Sequence, residues 1–455
     1  MKNHLDRFIA RSTRAALVLA AACVVALAGC ARSETRARPT DAPPPSMRSA
    51  DTAVSARQLA LAPSRAGAPV DALITALQGT AERTPDRVDP WIVLGRAWVR
   101  KARETSDPGF YVNADACASV ALQIAPGSAL ALDLHALVLL NDHRFAEARD
   151  VAQRVVDQNA EDPMAYGNLS DALLELGLFD EAARAAQTMM DLKPNLPAYS
   201  RASYLRWLQG DARGAKESAR LAIDAGRDTK DAEPRAWALV QAAMIFWHEG
   251  DHEGADAGFA RALLAVPDYP PALVGRGRVA LARGDGKAAA DRLARAYEAS
   301  PLVETAWLLG DARASAGDAK GAREAYDRVV RDGRLLDPRT LSLFASTRNE
   351  SPEEALALAE AERAVRGDVA TDDALAWALY RNGRFAEARA AIDHALRLGT
   401  RDARMLYHQG AIRIAMGERA AGRKLVQAAL KLNPSFDVTG AAEASTLLAS
   451  TQAAR

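Results

Sequence analysis

The feature that most constrains this chain is that it copies itself. From about residue 89 onward, a pattern recurs at a spacing of about 34 residues. Each unit holds an apolar-periodic stretch, a Gly-Asp or Gly-Arg type turn, a second stretch rich in small residues, and often a proline. The stretches Ala165–Ala182 and Asp373–Ala388 show the correspondence. The turn glycines recur as Gly177, Gly210, Gly250, Gly284, Gly317, Gly383 and Gly417. A small residue follows five positions later as Ala182, Ala215, Ala255, Ala289, Ala322 and Ala388, with Gly422 in the last unit. Closing prolines include Pro126, Pro194, Pro267, Pro301 and Pro434.

The physics of this pattern is a helical hairpin. Glycine ends the first helix (A) in a left-handed cap. Alanine lets the second helix (B) approach closely, and proline stops helix B before the next unit. One hairpin cannot bury its apolar face alone, so units must stack. A chain of 455 residues is also too long for one ordinary core. About ten units fit between residues 89 and 436. Their spacing and register resemble the tetratricopeptide repeat, which implies an all-α, right-handed superhelical solenoid of helix-turn-helix repeats. The segments 374–385 and 398–410 carry the resemblance most closely. It implies scaffolding rather than a reaction, so the chain is expected not to be an enzyme and to need no cofactor or metal.

Three places depart from the repeat. Residues 101–113 lengthen the first hairpin, residues 226–235 interrupt the array as a hinge or surface loop, and residues 331–352 degrade one helix A. The expected organisation is then an N-terminal array over 71–225, a loop over 226–235, a C-terminal array over 236–436 and a tail over 437–455.

The N-terminus reads as an address. Lys2, Arg7, Arg11 and Arg14 precede an apolar run over 15–26, too short to span a bilayer as a mature helix. The run closes on Leu27-Ala28-Gly29-Cys30, which resembles the lipobox of bacterial lipoproteins. The resemblance implies a signal peptide over 1–29 and a diacylglycerol on the Cys30 sulfur. It also implies a chain anchored in the cell envelope, at the outer membrane, since Ala31 stands where aspartate would cause inner-membrane retention. Residues 30–70 keep no helical period and read as a disordered tether. Cys23 lies within the signal. Cys117 reads as a core residue of a helix B, and three cysteines make no disulfide scaffold.

One motif tests the catalytic alternative. His248-Glu249-Gly250-Asp251-His252 matches H-E-x-x-H, in which both histidines must share one helix face to hold zinc. Gly250 occupies the turn position, so His248 should end one helix and His252 begin the next. A zinc hydrolase using His248, Glu249 and His252 is therefore disfavoured and kept only as the last alternative. Gly284-Asp-Gly-Lys287 lacks the first glycine and the hydroxyl of a phosphate loop. His135, His143, His394 and His408 read as surface or packing residues. The balance of 58 acids and 58 bases gives no reason to expect nucleic acid.

Helices A of a tetratricopeptide solenoid line its concave groove, which takes peptides or helices. Aligned on the turn glycines, Tyr204, Trp207, Trp237, Met244 and Trp247 fall near this face, with Trp307, Trp377, Tyr380, Arg381 and Tyr407 further along. Aromatics are only 5% of the chain, and Trp, Tyr and Arg are the usual hot-spot types. The expected function is an envelope-anchored scaffold binding a protein or peptide in this groove. The alternative is an architectural subunit of an export or assembly machine, docking through the convex face.

Overall fold

The computed structural model describes residues 55–64, 67–229 and 231–453. The signal peptide, Cys30 and most of the expected tether lie outside the described residues. Two short helices come first, α1 (Ala56–Ala60) and α2 (Asp71–Arg83). Ten hairpins follow, each a helix A and a helix B. Repeats 1 to 3 are α3 (Val88–Thr105) with α4 (Tyr111–Ile124), α5 (Ala129–Asn141) with α6 (Phe145–Gln158), and α7 (Pro163–Glu175) with α8 (Phe179–Leu192). Repeats 4 to 6 are α9 (Leu196–Leu208) with α10 (Ala212–Ala225), α11 (Glu233–His248) with α12 (His252–Ala265), and α13 (Pro270–Ala282) with α14 (Gly286–Ala299). Repeats 7 and 8 are α15 (Val303–Ser315) with α16 (Ala319–Leu336), and α17 (Pro338–Arg348) with α18 (Pro352–Val365). Repeats 9 and 10 are α19 (Val369–Arg381) with α20 (Phe385–Ala395), and α21 (Ala403–Ala415) with α22 (Arg419–Leu432). The fold is an all-α helical repeat solenoid, as the sequence led us to expect.

The Gly-Asp dipeptide builds the hairpin turn. Gly210, Gly250, Gly284 and Gly317 hold φ between +74° and +83°, which ends helix A. The next residue then caps helix B: Asp211, Asp251, Asp285 and Asp318 each accept a backbone N–H through their side chains. Ser106, His143 and Asn349 take the same left-handed position in the hairpins that lack the glycine. The alanines that follow the turns, Ala182, Ala215, Ala255 and Ala289 among them, are fully buried between their two helices.

Two expected boundaries move. The tether was expected to run to residue 70, but Ser55 caps α1, Ala60 is buried, and the Trp98 indole donates to the Ala60 carbonyl at 3.0 Å. The short apolar run Leu59-Ala-Leu has no helical period of its own, and only the surface of repeat 1 orders it. Residues 437–455 were expected as a tail, but Val438–Ala453 forms a further helix, α23. It covers the open end of repeat 10. Its Glu443 accepts from Tyr407 Oη at 2.9 Å and Arg381 Nη2 at 2.7 Å.

The array winds back onto itself. Loops between late repeats sit on the hairpin turns of early ones. Ser300 Oγ donates to Ser106 O at 2.7 Å, across 194 residues. The Arg366 guanidinium lies over the Phe145 ring at 5.0 Å and pairs with Glu175. The Gly367 N–H donates to Glu175 O at 2.7 Å. Thr400 Oγ1 donates to Leu208 O at 2.6 Å, and Asn433 Nδ2 to Trp247 O at 2.9 Å. The hairpin turns of repeats 1 to 5 thus carry the second superhelical turn. The 226–235 segment is no free surface loop: Asp231 reaches α3 and pairs with Arg100 at 3.4 Å.

This seam separates two kinds of turn glycine. A Cβ at Gly177, Gly210 or Gly250 would collide with the carbonyl of Gly367, Gly399 or Leu432, whereas at Gly284, Gly317, Gly383 and Gly417 it would meet nothing within 4 Å. Alanine at Gly383 is expected to cost about 1 kcal/mol for the left-handed backbone alone. Alanine at Gly177 or Gly210 is expected to cost at least about 1 kcal/mol more, because the second turn must move. Urea denaturation of the three single variants checks this. Equal losses at Gly177 and Gly383 would remove the seam from the account.

Candidate functional site

The inner face of the solenoid is built from one stripe of each helix A. In α11 the stripe is Trp237, Gln241, Met244 and His248, while Ala236, Leu239, Val240 and Ala243 on the other sides are buried. The spacing i, i+7, i+11 repeats through the first superhelical turn and sets three rings. The outer ring is Val93, Leu130, Met164, Pro197 and Trp237, at the free N-terminal ends of the five helices. The middle ring is Arg100, Leu137, Asp171, Tyr204 and Met244. The third ring, Glu104, Asn141, Glu175, Leu208 and His248, lies toward the seam.

The rings differ in chemistry. Val93, Leu130, Met164 and Trp237 are between 40 and 48% exposed, which is high for large apolar side chains at a shared position in successive helices. In the middle ring Asp171 pairs with Arg201 at 2.5 Å, and Tyr204 stays open. Three members of the third ring, Glu175, Leu208 and His248, are spent on the seam. His248 Nδ1 meets Asp402 Oδ2 at 3.0 Å. Burial pushes the Asp402 carboxyl up, but the bond and charge of His248 and the charge of Arg404 outweigh it and hold it below the usual range. Burial raises the Glu175 carboxyl against the opposing pull of Arg366.

The seam fixes the winding of the array. Its bonds join residues 186, 191, 192 and 194 apart. At about 34 residues per repeat this is about five and a half repeats per superhelical turn, so repeats 1 to 5 make up nearly all of the first turn and present their helices A around one inner face.

The aromatic residues expected in the groove divide accordingly. Tyr204 and Trp237 are exposed on the inner wall, and Met244 is half-buried there. Trp207 is half-buried between Tyr204, at 5.8 Å, and His248, at 4.6 Å. Trp247, Trp307 and Trp377 are corrections: all three are buried. Trp247 stacks on His252, Trp307 meets Phe344 edge-on, and Trp377 lies against Tyr380, Tyr407 and His408. Trp247 and Trp307 sit one position round the helix from the open stripe, so they pack into the core, whereas Trp377 holds the register of Tyr204 and Met244 but is covered by Tyr380, Tyr407 and His408. Tyr380 is half-buried against Trp377, and Arg381 donates to Ser346 O at 2.7 Å. Both serve packing with α23.

The His-Glu-x-x-His residues are all engaged elsewhere. Helix α11 ends at His248, Gly250 holds φ +76°, and α12 begins at His252. His248 faces Asp402, Glu249 pairs with Lys216, and His252 Nε2 reaches Asn433 Oδ1 at 3.2 Å. Among the described residues no group of three His, Cys, Asp or Glu is placed to hold a metal. Two of these residues are seam residues, a role that sequence reasoning missed because their partners lie 150 or more positions away. On the convex side a cleft of about 450 Å³ opens between α6 and α8, floored by Tyr166, Leu169 and Leu173.

The tetratricopeptide repeat family model matches residues 134–197, 274–335 and 374–435. A TPR repeat-containing protein of Pseudomonas aeruginosa is 44% identical over 55 residues, 12% of this chain and 52% of that protein. The chain thus spans about half the length of that curated relative. Among solved structures, the type IV pilus biogenesis factor PilW superposes with a TM-score of 0.39 at 14% identity, over 46% of this chain and 95% of PilW. A human IFIT1 dimer with PPP-AAAA gives 0.45 at 13% identity, over 84% of this chain and 96% of that one.

One buried acid of the inner wall gives a pH test. Asp311 of α15 accepts from Tyr326 Oη at 2.8 Å, and burial pushes its carboxyl up from 3.8 to about 7. An acid raised on folding favours the fold fully below its unfolded value and loses that contribution as pH rises through the folded one. Asp311→Asn should therefore match the parent near pH 4 and melt higher than it at pH 8. Thermal scans across that range check the sign, and an equal effect at both ends would refute the assignment.

Proposed function

We propose that this chain, which belongs to the tetratricopeptide repeat family, is an envelope-anchored scaffold that receives a protein or peptide partner on its inner wall. The observation that carries the reading is the open apolar and aromatic stripe of the first superhelical turn, on which Val93, Leu130, Met164, Tyr204 and Trp237 are all exposed. Large aromatic side chains left open at the centre of a concave surface are the usual anchors of protein interfaces. The seam supports the reading too, since it fixes the stripe on a rigid wall and so lowers the entropy lost on binding. The lipobox-like Cys30 supports the anchor, and two or more acyl chains would hold it firmly.

The interaction is tested with a photo-crosslinking residue placed at Gln241, on the inner stripe, or at Gln153, beside the convex cleft. Capture of the same partner from intact envelopes at Gln241 but not Gln153 is expected, and Tyr204→Ala should weaken it by about tenfold or more if Tyr204 is a hot spot. Capture only at Gln153 would favour the architectural alternative. The anchor has its own test. Cys30→Ser should abolish metabolic labelling with palmitate and release the protein from the membrane fraction; unchanged labelling would sink it.

A further inference from the structure

Helix α16 differs from every other helix B in its length. It runs 18 residues where the others run 11 or 14. The extra turn falls in the stretch where the repeat pattern breaks down, and it carries Leu335 and Leu336 beyond the usual end of a helix B. Leu335 is 87% exposed, the most open large apolar side chain among the described residues, and Leu336 is 65% exposed. The turn is held on both sides. A Cβ at Gly333 would collide with Leu341, so glycine there lets the extra turn lie close on α17. Directly after the leucines, the Asp337 side chain accepts the Thr340 N–H at 3.0 Å and starts α17. Two leucines fixed in solvent on an ordered helix form an apolar knob.

The convex cleft is the matching hole. It opens between α6 and α8, both helices B, over the apolar floor of Tyr166, Leu169 and Leu173. Knob and cleft lie near one another. Burial and Arg366 hold the His143 imidazole below its usual pKa, and Asp337 and Arg339 are near enough to act on it too. The loop that follows the knob therefore lies at the repeat 2 turn, where α6 begins. Gln153, in the wall of the cleft, stands about 12 Å further along α6 than Phe145. Leu335 and Leu336 do not enter the cleft of their own chain, since both are exposed. A knob and a hole side by side can instead be exchanged with a second copy across a two-fold axis, which makes each contact twice. Charge selects the same pairing. Helices α6 and α8 expose the acids Glu147, Asp150, Asp157, Asp180, Glu181 and Asp191 against the bases Arg154 and Arg184. Helix α16 exposes the bases Lys320, Arg323, Arg331 and Arg334 against Glu324 and Asp327. Facing each other, the two surfaces attract. We propose that this chain forms a two-fold dimer in which Leu335 and Leu336 of each copy seat in the α6–α8 cleft of the other. The dimer goes beyond the scaffold reading and leaves the inner stripe to the partner.

The test uses the mature protein, both in intact envelopes and purified in mild detergent. A photo-crosslinking residue at Gln153 should capture a second copy of this chain, with the crosslink mapping to Leu335, Leu336 or their neighbours. Capture of a different protein there would give the cleft another occupant and overturn the dimer. By sedimentation equilibrium in density-matched detergent the parent should be a dimer. Leu335→Asp with Leu336→Asp, both at exposed positions, should weaken it by about tenfold or more, with circular dichroism and melting unchanged. Arg331→Glu with Arg334→Glu should also weaken it, as should Asp150→Arg with Glu181→Arg. Both charge reversals in one chain should restore association, because each reversed surface then meets its reversed partner. A monomeric parent, undiminished association of the leucine variant, or no rescue by the combined reversal would each overturn the proposal. Capture at Gln241 is read separately, so the scaffold reading stands or falls without the dimer.

Discussion

The structure depends on how the C-terminal carbonyls of its early helices A find donors. Every α-helix ends with carbonyls that have no partner within the helix. Here Glu175 O, Leu208 O and Trp247 O receive the Gly367 N–H, the Thr400 hydroxyl and the Asn433 amide, from loops one superhelical turn later. Each bond contributes only about 1 kcal/mol net, yet leaving such a carbonyl buried and unmet would cost about 1–3 kcal/mol. The glycines at the same turns permit the close approach. What would be an open spiral is thereby fixed as two turns in contact.

Local structure was legible in the sequence because its causes are local. Gly250 and Asp251 end one helix and start the next by their own backbone and side-chain chemistry. That was enough to assign the hairpins and to take apart the His-Glu-x-x-His motif before any coordinates. The site was legible only in part. Tyr204 and Trp237 lie on the open stripe; Trp377 shares the register of Tyr204 but is buried by its own neighbours, and Trp247 and Trp307 were drawn to the same face and are core. Adjacent positions on a helix differ by about 100°, so a shift of one residue turns an exposed ring into a packed one, and periodicity alone does not resolve it.

The seam was not legible at all. Nothing near Thr400 or Asn433 marks them as partners of residues 192 and 186 positions away. The signal available was indirect: polar residues such as Ser300, Thr400 and Asn433 are buried in loops where solvent-facing ones would be expected. The motif histidines illustrate the same limit. Their spacing suggested metal chemistry, the repeat register argued against it, and only the second turn explains what they do, which is to face Asp402 and Asn433.

The seam also changes how this solenoid should share its stability. In an open repeat array each unit touches its neighbours alone, and folding free energy is nearly a sum of local terms. Here repeat 4 bonds to the loop before repeat 10, and repeat 5 to the loop after it. Damage in an early repeat therefore reaches a late one without passing through those between. Closing these contacts needs the intervening repeats to be folded already, because a loop of some 190 disordered residues is costly to close. The seam is therefore a late event in folding. Once formed, it holds the five outer-ring residues in one fixed circle, which an open spiral, free to stretch along its axis, could not do. The rigidity of the outer ring and the non-local bonding of the turns are the same fact seen at the two ends of the same helices.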